Sequence, residues 1–216
     1  MLVEKRMTHP VITVPAETPI VEAMNLMKRE HIHRLPIIEN GSLIGIVSDK
    51  EIMNATPSAA TSLSVWELNY LISKLTVKDI MAKKLFTVKV DDSIEKAARI
   101  MADNRVGGLP VLREGEVVGI ITETDVFKTF IELMGAREKG IQVTALISDA
   151  VGTWAKITQV VSEAGGNFIA IGQFARETPH DRWVVFKVAG ISLEKMQSVI
   201  EPVVIKIESI RESVVD

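Results

Sequence analysis

The chain has 216 residues, of which 47% are hydrophobic and 25% charged, with a formal net charge of −3 and a sequence pI near 5.9. That length allows one large domain or two modest ones, and the acidic balance argues against the broad basic footprint of a nucleic-acid binder. Cysteine is absent, which excludes disulfides, thiol catalysis and cysteine-ligated metal.

Met1 to Arg6 has no apolar core of the signal-peptide kind, and no run of about 18 apolar residues occurs, so the expectation is a cytoplasmic chain with no membrane span. Val11–Val14 is a short β-branched run closed by Pro15, and Thr18-Pro19 predicts a helix start with threonine as cap. Ile20, Ala23, Met24 and Met27 follow at helical spacing. Leu35–Ile38 and Leu43–Val47 flank Asn40-Gly41, a hairpin signal, and Ser48 opens a second helix. A loop-like stretch covers 54–62, and Ser64-x-x-Glu67 reads as a capping box for a helix through Leu75. Trp66 and Tyr70 lie four apart on that helix beside an apolar stripe of Val65, Leu68, Ile72 and Leu75. The stripe suits a connector packed on its own module, and a self-association face is the alternative.

The plan then repeats. Strand Leu85–Val90, a helix from Ser93, the strands Leu109–Leu112 and Val117–Ile121 around Glu114-Gly115, and a helix from Thr122 to near Gly135 copy the first half. Met7 recurs as Met81, Leu35-Pro36 as Leu109-Pro110 and Gly45-Ile46 as Gly119-Ile120, all at an offset of 74 residues. Laid on each other, 7–52 and 81–126 share 11 identities in 46 positions. One internal duplication predicts two copies of a supersecondary unit that bury a face against each other and leave two equivalent clefts between them. Beyond the polar, glycine-bounded stretch Ala136–Gly140 the repeat ends. The order there is strand Ile141–Ser148, helix Thr153–Ala164, strands Asn167–Ala175 and Arg182–Val188, helix Ser192–Ile200 and strand Val203–Ile210, a ferredoxin-like βαββαβ sandwich.

The clefts carry the chemistry. In Gly45-Ile46-Val47-Ser48-Asp49-Lys50-Glu51 and its twin Gly119-Ile120-Ile121-Thr122-Glu123-Thr124-Asp125, a strand ends on a hydroxyl that starts a helix, and an acid follows three positions later. Helix-start amides and the hydroxyl suit a phosphate, and the acid suits a ribose. The same spacing is that of a capping box, and spacing alone leaves both readings open. His31-x-His33, with only His9 and His180 elsewhere, lacks the ligands for a closed zinc site, so the expectation is no metal.

These strings, together with His33-Arg34-Leu35-Pro36-Ile37-Ile38, resemble tandem CBS domains, the paired (Bateman) module named after cystathionine β-synthase, over roughly residues 1–135. The resemblance implies AMP, ADP, ATP or S-adenosylmethionine in the clefts as a regulatory ligand, with no other cofactor. It places Ser48 and Thr122 on phosphate, Glu51 and Asp125 on ribose, and Pro10, Ile12, Lys84 and Phe86 around adenine. His33 and Arg34 stand at the basic position before the second strand. Glu51 replaces the usual aspartate, and Gly107-Gly108 replaces His33-Arg34 in the second repeat. The two sites are therefore expected to be unequal, with Arg34 serving a phosphate near the pseudo-two-fold axis.

The remaining third resembles an ACT domain, a small-molecule sensor found on enzymes of amino-acid metabolism. That implies Asp149, Gly152 and Asn167 as contacts for a metabolite or amino acid, at a site formed where two such domains dock side by side. Trp154 stands where leucine is common and could fill that pocket, and Trp183 is expected in the core. The whole arrangement is α+β: a CBS pair over 1–137 (repeat one 1–56, connector 57–76, repeat two 77–137) and an ACT domain over 138–216. It is similar to the acetoin-utilisation AcuB group. The expected function is that of a homodimeric allosteric sensor acting on an unidentified protein target, with no catalytic residues, and helix 123–134 is the candidate relay. The alternative is a ligand-free assembly or dimerisation module in carbon (acetoin) metabolism.

Overall fold

The computed structural model describes residues 1–55, 65–174 and 178–213. Residues 56–64, which hold most of the expected loop and the Ser64 cap, lie outside the described residues. The chain divides into two compact units, Met1–Val126 and Phe127–Asp216. The division falls inside a helix, upstream of the 137/138 boundary expected from composition.

In the first unit each repeat builds a three-stranded sheet. Repeat one runs β1 (Val14–Pro15), α1 (Ile20–Arg29), β2 (Arg34–Glu39), β3 (Ser42–Ser48), α2 (Asp49–Ala55), followed by α3 (Val65–Lys74) and α4 (Val77–Ile80). Repeat two runs β4 (Val88–Lys89), α5 (Ile94–Asn104), β5 (Gly108–Arg113), β6 (Glu116–Thr122) and α6 (Glu123–Leu133). The first strand of each repeat joins its hairpin in parallel, Val14 opposite Ile37 and Val88 opposite Val111, the same register 74 residues apart. Both hairpins turn on two left-handed residues, Asn40-Gly41 (φ 51° and 76°) and Glu114-Gly115 (φ 52° and 93°), whose twist matches that of the strands they join. Leu35, Ile37 and Val47 bury one sheet face with Ala23 and Met27 of α1, and Leu109, Val111 and Ile121 do so with Ala97 and Met101 of α5.

The first strands are shorter than the β-branched runs suggest, because the residues before them pair elsewhere. The Thr8 N–H donates to Ile120 O at 2.8 Å, and the Ala82 N–H to Ile46 O at 2.9 Å. Each lead-in thus zips onto the third strand of the other repeat. Val3 is fully buried in the core of repeat two and Val77 in the core of repeat one, so the spatial halves interlock across the linear boundaries. A Cβ on Gly45 would lie 2.2 Å from Met81 Sδ, and one on Gly119 would lie 2.5 Å from Met7 Sδ. The recurrent glycine and the recurrent methionine are two parts of one contact.

Helix α1 departs from the expected Thr18 cap. Pro19 occupies the cap position without a side-chain bond, and the Ile20 N–H donates to Leu75 O at 3.0 Å. The connector supplies what the threonine does not. Helix α3 packs on repeat one through Ile72, as does Leu75 just after it, while Trp66 stays 86% exposed. In the twin, Ser93 caps α5, its Oγ accepting from the Lys96 N–H.

The second unit is β7 (Gly140–Ser148), α7 (Thr153–Glu163), β8 (Asn167–Gln173), β9 (Asp181–Ala189), α8 (Leu193–Ile200) and β10 (Lys206–Ser213). Its antiparallel sheet has the order β10-β7-β9-β8, the split pairing expected of βαββαβ. Val143, Ala145, Ile147, Val184, Phe186 and Val188 meet Ile157, Val161, Met196 and Ile200 of the two helices. The last strand starts later than predicted because Glu201–Val203, with Pro202, forms a 3-10 turn. Trp154 joins the core, edge-on to Phe186 at 6.2 Å between ring centroids. Trp183 does not belong to this core; strand alternation turns it to the face opposite Phe186, where it is only half-buried.

Lys187 shares that opposite face and is 3% exposed. Its Nζ donates to Gly135 O at 2.7 Å and to Ser213 Oγ at 2.8 Å, tying the turn after α6 and the end of β10 to the central strand. A cation at the last carbonyls of a helix is favourably placed. Lys187→Met removes one of the two donors to Gly135 O, the Glu138 N–H at 3.0 Å being the other, together with the bond to Ser213 Oγ, and is expected to cost about 1 kcal/mol, read by urea unfolding of the full chain.

Candidate functional site

The interlocked lead-ins bring the 82–86 segment beside β3 and open a cleft of about 320 Å³ between the repeats. Ser48 and Glu51 line it from the start of α2, Lys84 and Phe86 from the approach to β4, and Arg34 from the start of β2. Five of the residues singled out in the sequence therefore meet in one place.

At both helix starts the acid folds back on the hydroxyl residue. Glu51 Oε2 accepts from the Ser48 N–H at 2.9 Å and from the Ser48 hydroxyl, and Asp125 Oδ2 accepts from the Thr122 N–H at 2.9 Å and the Thr122 hydroxyl at 2.8 Å. The carboxylate half of a capping box forms in each repeat, and the extra methylene of Glu51 does not prevent it. A cleft position and a cap are compatible, since the cap orients the same hydroxyl and carboxylate that border the cavity.

Arg34 crosses to the other repeat. A Cβ on Gly107 would lie 2.1 Å from Arg34 Nη2 and 2.9 Å from Glu123 Oε2, and a Cβ on Gly108 would lie 3.1 Å from Arg34 Cδ. The glycine pair that interrupts the repeat is the bed on which the guanidinium rests. Among the described residues no ion pair holds Arg34. Lys84 Nζ lies 5.1 Å from the Phe86 ring centroid, a cation–π distance.

Lys50, Arg105 and Glu123 also border the cleft, and the sequence reading missed them. Arg105 had a signal: it ends α5 in the left-handed region (φ 55°), as His31 does in repeat one (φ 53°), where glycine is the easy choice. His33 does not face this cavity; its Nδ1 lies 2.8 Å from Asp49 Oδ2 at the surface. Pro10 and Ile12 correspond to Lys84 and Phe86 by the duplication; Pro10, Ile12, Thr122 and Asp125 do not line this cavity.

The model of the CBS domain matches residues 3–58 and 77–132, more than half of the chain. The chain belongs to the CBS-domain family. It is 29% identical over 136 residues to a CBS domain-containing protein of Dictyostelium discoideum, a match covering 62% of this chain and 94% of that one. Other curated relatives are longer, and the chain spans 47% of one and 23% of others. Among solved structures, the CBS domain pair of protein MJ0100, in complex with 5′-methylthioadenosine and S-adenosyl-L-methionine, aligns with a TM-score of 0.51 at 28% identity, over 60% of this chain and 95% of that one. A Vibrio cholerae protein assigned to acetoin utilization (AcuB) aligns at 0.52 and 26% identity, over 62% and 93%.

The CBS match ends at residue 132, so the second unit rests on its own geometry. Asp149 follows β7 and is paired with Arg182, whose Nε lies 3.2 Å from Asp149 Oδ1. Gly152 stands before α7 at φ 90°, a conformation only glycine adopts easily, and a Cβ there would touch nothing. Asn167 opens β8 opposite Ala189, whereas Ser148, beside Asp149, is opposite Asp181. Asp149 and Asn167 therefore lie at opposite ends of β9, about 27 Å apart at a strand rise of about 3.4 Å per residue. One small ligand does not touch both within a single chain. No helix among the described residues is long and apolar enough to cross a membrane.

Proposed function

We propose that this chain is a regulatory sensor whose CBS pair binds an adenine nucleotide, or S-adenosylmethionine, between its repeats. The observation that carries the reading is the composition of the cleft. An aromatic ring (Phe86) for a base, a hydroxyl and carboxylate (Ser48, Glu51) for a sugar-phosphate and an arginine (Arg34) for a phosphate converge from both repeats on about 320 Å³. Rings stack on bases, and guanidinium groups take phosphate oxygens in charge-assisted bonds. The MJ0100 pair, which holds two adenosine compounds, supports the same class of ligand here.

The second unit acts as an ACT-type domain that takes a small metabolite or amino acid and joins two copies of the chain. Its sheet order supports that reading, and a ligand contacting both Asp149 and Asn167 sits between two copies. Helix α6 carries the signal between the bound nucleotide and the second unit, and the output acts on a protein partner. The AcuB neighbour supports a place in carbon metabolism.

Calorimetric titration of the purified chain with AMP, ATP and S-adenosylmethionine tests the reading. At least one should bind below millimolar concentration, and Ser48→Ala with Glu51→Ala should weaken it. Absence of binding for all three would remove the sensor reading.

A further inference from the structure

The duplication allows the charges of the two grooves to be compared position by position. Around the cleft stand Arg34, Lys50, Lys84 and Arg105, opposed by Glu51 and Glu123. At the offset of 74 residues the cations correspond to Gly108, Thr124, Pro10 and His31, and the acids to Asp125 and Asp49. None of the four cationic positions has a lysine or arginine as its counterpart. The two halves of the first unit are built alike, Thr8 bridging to Ile120 as Ala82 bridges to Ile46. The base-side residue differs as well, Phe86 in one groove and Ile12 in the other.

Arg34 decides the balance, because its position abuts the pseudo-two-fold relation and its side chain could serve either side. Gly107 and Gly108 settle the direction by leaving the space it occupies. Their counterparts, His33 and Arg34, leave no such space, and His33 is itself paired with Asp49.

We infer that the two grooves are sorted by charge: the Ser48 cleft takes an adenine nucleotide with two or more phosphates, and the Thr122 groove takes an adenosine derivative without a phosphate chain. The inference rests on the adenosine reading above and narrows it. Four cations against two acids leave a positive excess that a polyphosphate fills and that a sulfonium or ammonium group opposes. At the matching positions the sequence has Asp49, Asp125 and His31 and no lysine or arginine, so a phosphate chain there meets no counterpart of these four cations. The chain would then report two different adenosine compounds at once.

The test is titration of the full chain with ATP and with 5′-methylthioadenosine, separately and together. The wild type should bind one of each simultaneously, neither displacing the other, with only the ATP affinity falling steeply as salt is raised. Arg34→Gln should weaken ATP by about tenfold or more, the loss expected for one charge-assisted contact, and leave 5′-methylthioadenosine unchanged. Gly107→Ala should do the same, since its Cβ meets the movable end of Arg34, and thermal melts report whether either variant remains folded. Asp125→Asn should weaken 5′-methylthioadenosine and spare ATP. Two equal ATP sites, or mole-for-mole displacement of ATP by 5′-methylthioadenosine, would overturn the sorting while leaving the adenosine reading intact. Failure of both compounds to bind would overturn both.

Discussion

Phe186→Ala should lower the stability of the second unit by about 3–5 kcal/mol, the largest single loss expected in the chain. Phe186 is fully buried on β9, with Trp154 edge-on at 6.2 Å and Phe168 tilted against it at 5.6 Å. Removing the ring takes away its own transfer free energy and leaves two aromatic neighbours facing a cavity. The backbone sits between β7 and β8 and has little room to collapse into the gap. Because Phe186 lies in the core of the second unit alone, the thermal transition of the first unit should stay where it is. Calorimetry of the full chain reads both transitions. A parallel shift of the two would show that the units unfold as one cooperative body.

Gly45→Ala should destabilise the first unit by about 1–3 kcal/mol, although alanine is the smallest addition possible. The new methyl group meets Met81 at Sδ, Cγ and Cβ (2.2, 2.8 and 3.0 Å), so moving the thioether tip alone does not relieve the overlap. The lead-in that carries Met81 must shift, and with it the bonds between Ala82 and Ile46 that close one side of the cleft. Met81→Ala in the same chain should recover part of the loss, a coupling that a double-mutant cycle in urea measures directly. Additivity of the two substitutions would mean that the glycine serves something other than the methionine.

The features legible in the sequence were those with local causes. Asn40-Gly41 and Glu114-Gly115 marked the hairpins because two left-handed residues are rarely supplied otherwise, and Ser93 marked the start of α5 because its hydroxyl bonds within the first turn. The βαββαβ order of the second unit followed from alternating periodicities. The crossing of the lead-ins was not legible. Thr8 finds Ile120 and Ala82 finds Ile46 only when the two repeats face each other, and neither short segment shows its partner. Thr18 looked like a cap, yet the bond it would have made is supplied by Leu75 from the connector.

The site divides along the same line. Ser48, Glu51, Thr122 and Asp125 were visible as a spacing, and Lys84 and Phe86 through the resemblance. The meaning of Gly107-Gly108 needed the fold. In the sequence the pair is a lost cation, whereas in space it is room for the cation of the other repeat. The sequence reading did not single out Lys187, whose acceptors, Gly135 O and Ser213 Oγ, lie 52 and 26 residues away.

The most direct test of the central claim is a crystal structure of the chain grown with excess ATP. A nucleotide should lie between Phe86 and Arg34, its ribose at Glu51 and its phosphates toward Gly107-Gly108. An empty cleft, closed by the side chains of Arg34 and Lys84 at saturating ATP, would contradict it.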